Sequence, residues 1–152
     1  MFEIDFRATV DRPIGDVFER LVRIDRYTDW LPESRIFLDC MTTSPGPVRE
    51  GTTFIDETRV GRFRGEVVEL EKPRRVVFRN ELVKFGIRVM ESWPGYQLDP
   101  THDGMRTRVH HFGKGRAFGL FKLMEFYLAR RAGVERRRTL RQLKRSLEQN
   151  DS

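Results

Sequence analysis

The sequence has one cysteine, Cys40, three histidines and no apolar run approaching the roughly 20 residues that span a bilayer. A single cysteine excludes an internal disulfide and any multi-cysteine metal site, which leaves Cys40 the role of a small, buried hydrophobe. The histidines do not make a zinc site, because His110 and His111 are strand neighbours that point to opposite faces and His102 falls in a turn. Phosphate loops, dinucleotide fingerprints, nucleophile elbows and metal-binding helices are all missing, so neither metal nor cofactor is expected. The start, Met1 to Phe6, alternates as a strand and does not read as a signal peptide, so a cytoplasmic protein is expected. Linker composition, internal repeats and low-complexity segments are also lacking. That points to one domain over residues 1–148, with 149–152 as a tail.

What the chain does have is charge gathered in one place. The formal net charge is +6, yet residues 114–145 hold eleven Lys/Arg against two Asp/Glu, whereas the remainder holds eighteen against twenty-one. Ala117 to Glu148 reads as one helix with two chemistries. Its first half carries Phe118, Leu120, Phe121, Leu123, Met124, Phe126, Tyr127 and Leu128, a stripe wider than one buried face requires. After Gly133 the apolar set narrows to Val134, Leu140, Leu143 and Leu147, and Arg136, Arg137, Arg138, Arg141, Lys144 and Arg145 form a wet, cationic back. The wide half suits the roof of a cavity for a greasy small molecule, and equally a homodimer face. The basic half offers Arg137, Arg138 and Arg141 as candidate contacts to an anionic membrane. No nucleic acid partner is expected, since interleaved exposed aromatics and a groove-reading unit are lacking.

Phe2 to Val10 alternates as a half-buried strand. Asp11 is placed to cap a helix with Pro13 in its first turn, and a second helical turn, Asp25 to Leu31, stops at Pro32. Six alternating runs follow: Arg35–Met41, Thr52–Val60, Phe63–Leu70, Arg75–Glu81, Lys84–Trp93 and Met105–Phe112. Their separators include Pro45-Gly46-Pro47, Gly61-Arg62, Lys72-Pro73, Pro94-Gly95 and Asp103-Gly104, all with turn chemistry. The expected class is α+β: an antiparallel meander whose apolar face the last helix covers.

Ala8-Thr9-Val10-Asp11-Arg12-Pro13 leading to Val17-Phe18, the segment from Leu21 through Asp25-Arg26-Tyr27-Thr28-Asp29-Trp30-Leu31-Pro32, and the strands Gly51-Thr52, Gly65 to Glu69 and Pro73 to Phe78 carry a resemblance. In these residues the chain resembles the helix-grip proteins of the START-like (SRPBCC) superfamily, specifically the polyketide cyclase/dehydrase and lipid-transport family. The resemblance implies a seven-stranded, curved antiparallel sheet gripping the long C-terminal helix, two short helices between strands 1 and 2, and a cavity for lipids, polyketides, quinones or similar molecules. It implies no single activity, because a fold is weak evidence for a reaction.

Putting charged partners outside assigns the strand faces. Phe85, Ile87, Val89, Glu91 and Trp93 then face the helix, as do Met105, Thr107, Val109 and His111. Phe63, Gly65, Val67 and Glu69 join them, with Phe54 and Asp56 on the neighbouring strand, where Ile55 on the other face argues for a one-residue shift or a bulge as the alternative. Trp30, Phe37, Phe54, Phe78, Phe85, Trp93, Phe118 and Phe121, with Met124, are candidate cavity aromatics and apolar contacts. Glu91 and His111 form the candidate acid/base pair, since a dry pocket raises a carboxylate toward the range where His titrates; the alternatives are a Glu91 bonded to an arginine or a backbone amide or set at a water-filled rim, and a structural His111 with its hydrogen bonds satisfied. The preferred reading is a carrier or chaperone for a hydrophobic small molecule or lipid. The alternative is an aromatase/cyclase-like enzyme using Glu91 and His111.

Overall fold

The computed structural model describes residues 1–149, so positions 150–152 of the expected tail lie outside the described residues. Seven strands, β1 (Phe2–Val10), β2 (Phe37–Thr42), β3 (Thr53–Thr58), β4 (Gly61–Glu71), β5 (Arg75–Lys84), β6 (Ile87–Pro100) and β7 (Thr107–Ala117), form one antiparallel sheet in the order β1-β7-β6-β5-β4-β3-β2. Helix α1 (Ile14–Val22) and a 3₁₀ turn (Ile24–Asp29) carry the chain from β1 at one edge to β2 at the other. Helix α2 (Glu125–Gln149) lies along the concave face. This is the helix-grip layout that the sequence resemblance implies.

Hydrophobic alternation sets this arrangement. The inward residues of β1 end in fully buried Val10, and Val17, Phe18 and Leu21 of α1 pack with Leu98 and Val109 of the sheet and Leu140, Leu143 and Leu147 of α2. The C-terminal half of α2 therefore sits on a closed core. Arg12 Nε donates to the Leu147 carbonyl and Lys144 Nζ to the Thr9 carbonyl, which pins that half to the β1–α1 corner.

Four elements differ from the sequence reading, and the first is the run Lys84–Trp93: Lys84 closes β5, the turn falls at Phe85-Gly86, and β6 begins at Ile87. Asp11 makes no cap: Pro13, at φ −61°, is the N-cap of α1, and no side-chain hydrogen bond caps the helix. Pro94 and Gly95 are not a turn but lie inside β6, paired with Gly113 and Phe112 of β7. Lacking an N–H, Pro94 interrupts the ladder toward β5 between Asn80↔Ser92 and Val77↔Gly95, while the β7 side continues. Ala117 to Glu148 is not one helix either. Ala117 ends β7, the Phe118 N–H still bonds the Val89 carbonyl, and Gly119 at φ 59° turns the chain into a 3₁₀ segment, Gly119–Met124, before α2 begins.

Candidate functional site

Between the N-terminal half of α2 and strands β3 to β6 the sheet and helix part, leaving a cavity with two lobes. The inner lobe, about 100 Å³, is lined by Tyr27, Phe37, Cys40, Phe54, Phe78 and Tyr96 among others. The outer lobe, about 310 Å³, is walled by Phe2, Ile4, Phe63, Met90, Tyr127 and Leu128. Seven residues belong to both and form a polar waist: Ile36, Asp56, Thr58, Asn80, Pro94, Glu135 and Arg136.

The waist is short of hydrogen-bond partners. Asp56 Oδ1 and Asn80 Oδ1 are buried with none, as is Nε2 of His111 behind them in the sheet. Burial pushes the Asp56 carboxyl up to about 7, against the pull of Arg136 opposite it. His111 Nδ1 donates to the Gly95 carbonyl at 2.8 Å and its ring stacks on Tyr96 at 4.0 Å. Burial, seconded by Arg136, holds this imidazole down at about 3, so it is neutral and its buried Nε2 keeps a bare lone pair. Burial also raises Tyr27, Tyr96 and Cys40, so the phenols and thiol stay protonated. The charge of Arg136 bears on all five groups, which makes this one guanidinium the electrostatic centre of the cavity.

Of the residues expected to line the cavity, Phe37, Phe54, Asp56 and Phe78 do so. Gly65 lies directly under Phe54, where a Cβ would stand 2.2 Å from the ring. Thr107, Val109 and His111 face α2 as expected, but in the packed layer: Val109 joins the core and Thr107 Oγ1 donates to the Arg12 carbonyl. Trp30 packs in the core edge-on to Tyr27 rather than on the cavity wall.

The assignment for the start of β6 is corrected. The ladder shifts by one residue between Leu82↔Met90 and Val83↔Arg88, leaving Val89 buried in a bulge. Arg88 and Glu91, three apart, thus share the outer face, and Met90, Ser92 and Pro94 turn to the cavity. Glu91 is buried against Arg79 (2.7 Å), Arg88 (3.3 Å) and Arg116 (2.9 Å). Burial raises its pKa, but hydrogen bonds from Arg116 and Arg79 win and hold it below the usual range. Glu91 and His111 lie on opposite faces of the sheet and form no acid/base pair. Trp93 is also outside, under Lys114 and Arg116, and Phe118 lies beneath Arg88 and Arg116. Phe85 is in the β5–β6 turn at φ 53°, wholly exposed, with Ile87 exposed beside it. Phe121 and Met124, in the 3₁₀ segment, are exposed, and Met105 lies exposed just before β7. A second bulge, between Val67 and Glu69, turns Glu69 outward to Arg75 at 2.7 Å.

On α2, Arg136 is not part of the wet back. Its spacing to Leu140, Leu143 and Leu147 is helical, so it continues their inward stripe into the cavity, a signal that the sequence carries. Val134 is exposed instead. Of the candidate membrane arginines, Arg137 lies over the Phe6 ring at 5.1 Å, Arg138 donates to the Pro32 carbonyl at 2.5 Å, and Arg141 is exposed. Asn80 was legible as the third inward residue after Val76 and Phe78, whereas Tyr96 was hidden by reading Pro94-Gly95 as a turn.

The described residues contain no cluster of His, Cys, Asp and Glu able to hold a metal, and no helix among them is long and apolar enough to cross a membrane. No curated protein matches the sequence. Among solved structures, the chain is similar to a START superfamily protein from Mycobacterium smegmatis, at TM-score 0.76 and 11% identity over 98% of this chain and 99% of that one. It is also similar to the di-domain ARO/CYC protein BexL of the BE-7585A biosynthetic pathway, at TM-score 0.75 and 17% identity over 97% of this chain and 47% of the other. A third, protein NE0264 from Nitrosomonas europaea, aligns at TM-score 0.65 and 22% identity over 98% and 96%. At such identities the likeness is one of fold. The family model described as polyketide cyclase / dehydrase and lipid transport matches residues 1–148, every strand of the grip included, and the chain belongs to that family.

Proposed function

We propose that the protein binds a hydrophobic small molecule or lipid between sheet and α2 and serves as its carrier or chaperone. The observation that carries this reading is the two-lobed cavity, apolar at both ends and polar at its waist. Its outer lobe falls within the usual range of ligand pockets, roughly 300–1,000 Å³. Unpartnered acceptors on Asp56 and Asn80 beside the donors of Arg136 suit an apolar ligand that carries one polar group with both donor and acceptor character. Native mass spectrometry of freshly purified protein, followed by organic extraction, tests the reading: a co-purifying apolar molecule near one per chain is expected. Arg136→Met is expected to lose it and Glu91→Gln to keep it. Equal retention by both variants would refute the cavity as the binding place.

A second reading, an aromatase/cyclase-like enzyme, draws on Asp56 instead of the separated Glu91 and His111. A carboxyl brought to about 7 in a cavity wall beside a guanidinium is suited to proton transfer. In a carrier, Asp56→Asn leaves ligand affinity within about tenfold and there is no turnover to lose; in a cyclase the same change abolishes product formation.

A further inference from the structure

One end of the sheet gathers the start of β1, the β3–β4 and β5–β6 turns, and the exit of β7 into the 3₁₀ segment and α2. Ten of the thirteen exposed large apolar residues among those described are here: Met1, Val60, Phe85, Ile87 and six between Leu120 and Tyr127. Apolar residues exposed singly need no explanation, but a cluster at one pole does. Leu120 is 82% exposed, Leu123 86%, Phe126 77% and Phe85 100%, so none of the described residues covers them. The exposed run is tied to the hairpin beside it by the Phe118 N–H to Val89 carbonyl bond at 3.0 Å and by Arg88 over the Phe118 ring, so the two form one surface.

The charges along the exposed run are mainly positive, although Glu3, opposite Lys114 at the start of β1, is also exposed here. From 114 to 131 the chain carries Lys114, Arg116, Lys122, Arg130 and Arg131 against Glu125 alone, and Glu125 is taken up by the Met1 ammonium. Lys84 stands at the end of β5. The outer lobe of the cavity opens at the same pole, since Phe2, Val60, Tyr127 and Arg131 line it, and Val60 and Tyr127 are themselves exposed. A protruding apolar tip within a cationic ring complements an anionic lipid surface, whose headgroups meet the cations while the tip enters the acyl boundary.

We propose that the protein docks on anionic bilayers through this pole, with Leu120, Leu123, Phe126 and Phe85 inserted and Lys84, Lys122 and Arg130 against headgroups, so that the cavity mouth faces the membrane. The arginines on the back of α2 take no part. Docking does not depend on which molecule fills the cavity.

The test is flotation of the full chain with phosphatidylcholine vesicles containing about one third phosphatidylglycerol, beside pure phosphatidylcholine. Wild type is expected to float with the anionic vesicles and to remain below with the neutral ones. L120S/L123S/F126S, all exposed and so harmless to folding, lowers partitioning at least tenfold, roughly the effect of withdrawing one apolar side chain from the bilayer. K84Q/K122Q/R130Q lowers it by about fivefold per charge, whereas R137Q/R138Q/R141Q leaves it unchanged. The proposal is overturned if wild type stays unbound on anionic vesicles, if the serine variant floats like wild type, or if R137Q/R138Q/R141Q abolishes flotation. It is also overturned if light scattering shows a dimer that the serine substitutions dissociate, since a second copy then covers the pole.

Discussion

Replacing Asp56 by asparagine removes a carboxyl that the fold holds in its protonated form far above the ordinary range. In the unfolded chain this group titrates near 3.8, and in the folded protein at about 7, mainly because of burial. That rise corresponds to about 4 kcal/mol of preference for the neutral acid. Below the unfolded value both states are protonated and the carboxyl costs nothing. Between 3.8 and about 7 the folded state holds a proton that the unfolded state has released, so rising pH destabilises wild type, and above 7 the penalty is complete. Asparagine does not titrate. The stability of Asp56→Asn relative to wild type should therefore grow between about pH 4 and pH 8, by up to about 4 kcal/mol. Urea unfolding of both proteins across that range measures it. His111 acts in the opposite sense, losing stability as pH falls from 6.5 toward about 3, but it is common to both proteins and cancels in the difference. A difference that stays flat with pH, or shrinks as pH rises, would refute the burial of the Asp56 carboxyl in the cavity wall.

Three further outcomes follow from the packing. Gly65→Val drives a side chain into the space of the Phe54 ring, which can escape only into the inner lobe; ligand capture should fail at a stability cost of about 1–3 kcal/mol, read by native mass spectrometry and thermal melts. Glu91→Gln strips the charge that three arginines share and should cost about 1–3 kcal/mol, toward the lower end because those guanidiniums are 36–44% exposed. Because the folded pKa of Glu91 is lowered, wild type's advantage over this variant is present at neutral pH and lost as acidification passes that pKa; an advantage that persists in acid would contradict the clamp. Leu143→Ala, under the closed half of α2, should cost about 2–5 kcal/mol by denaturant unfolding.

Local chemistry was enough for much of the architecture. Alternation from Phe2 to Val10 defined β1 to the residue, and the order of short connections implied an antiparallel meander roofed by the last helix, because hydrophobic period and turn composition are properties of neighbours in the chain. Alternation alone leaves Asp56 open between the inner face and a register shift, and the structure has it on the cavity wall. The positions that sequence could not decide are those where one strand answers to another. The bulge at Val89 exists only in the pairing of β5 with β6, yet it reverses the face of everything after it, sending Glu91 out to its arginines and Met90 into the cavity. Pro94-Gly95 carries turn chemistry, but β7 pairs across it and overrides the local preference. Arg136 shares the helical stripe of Leu140, Leu143 and Leu147, which the sequence carries, but that this stripe meets a cavity at Arg136 and a closed core one turn later is decided by where sheet and helix part, a property of the tertiary structure.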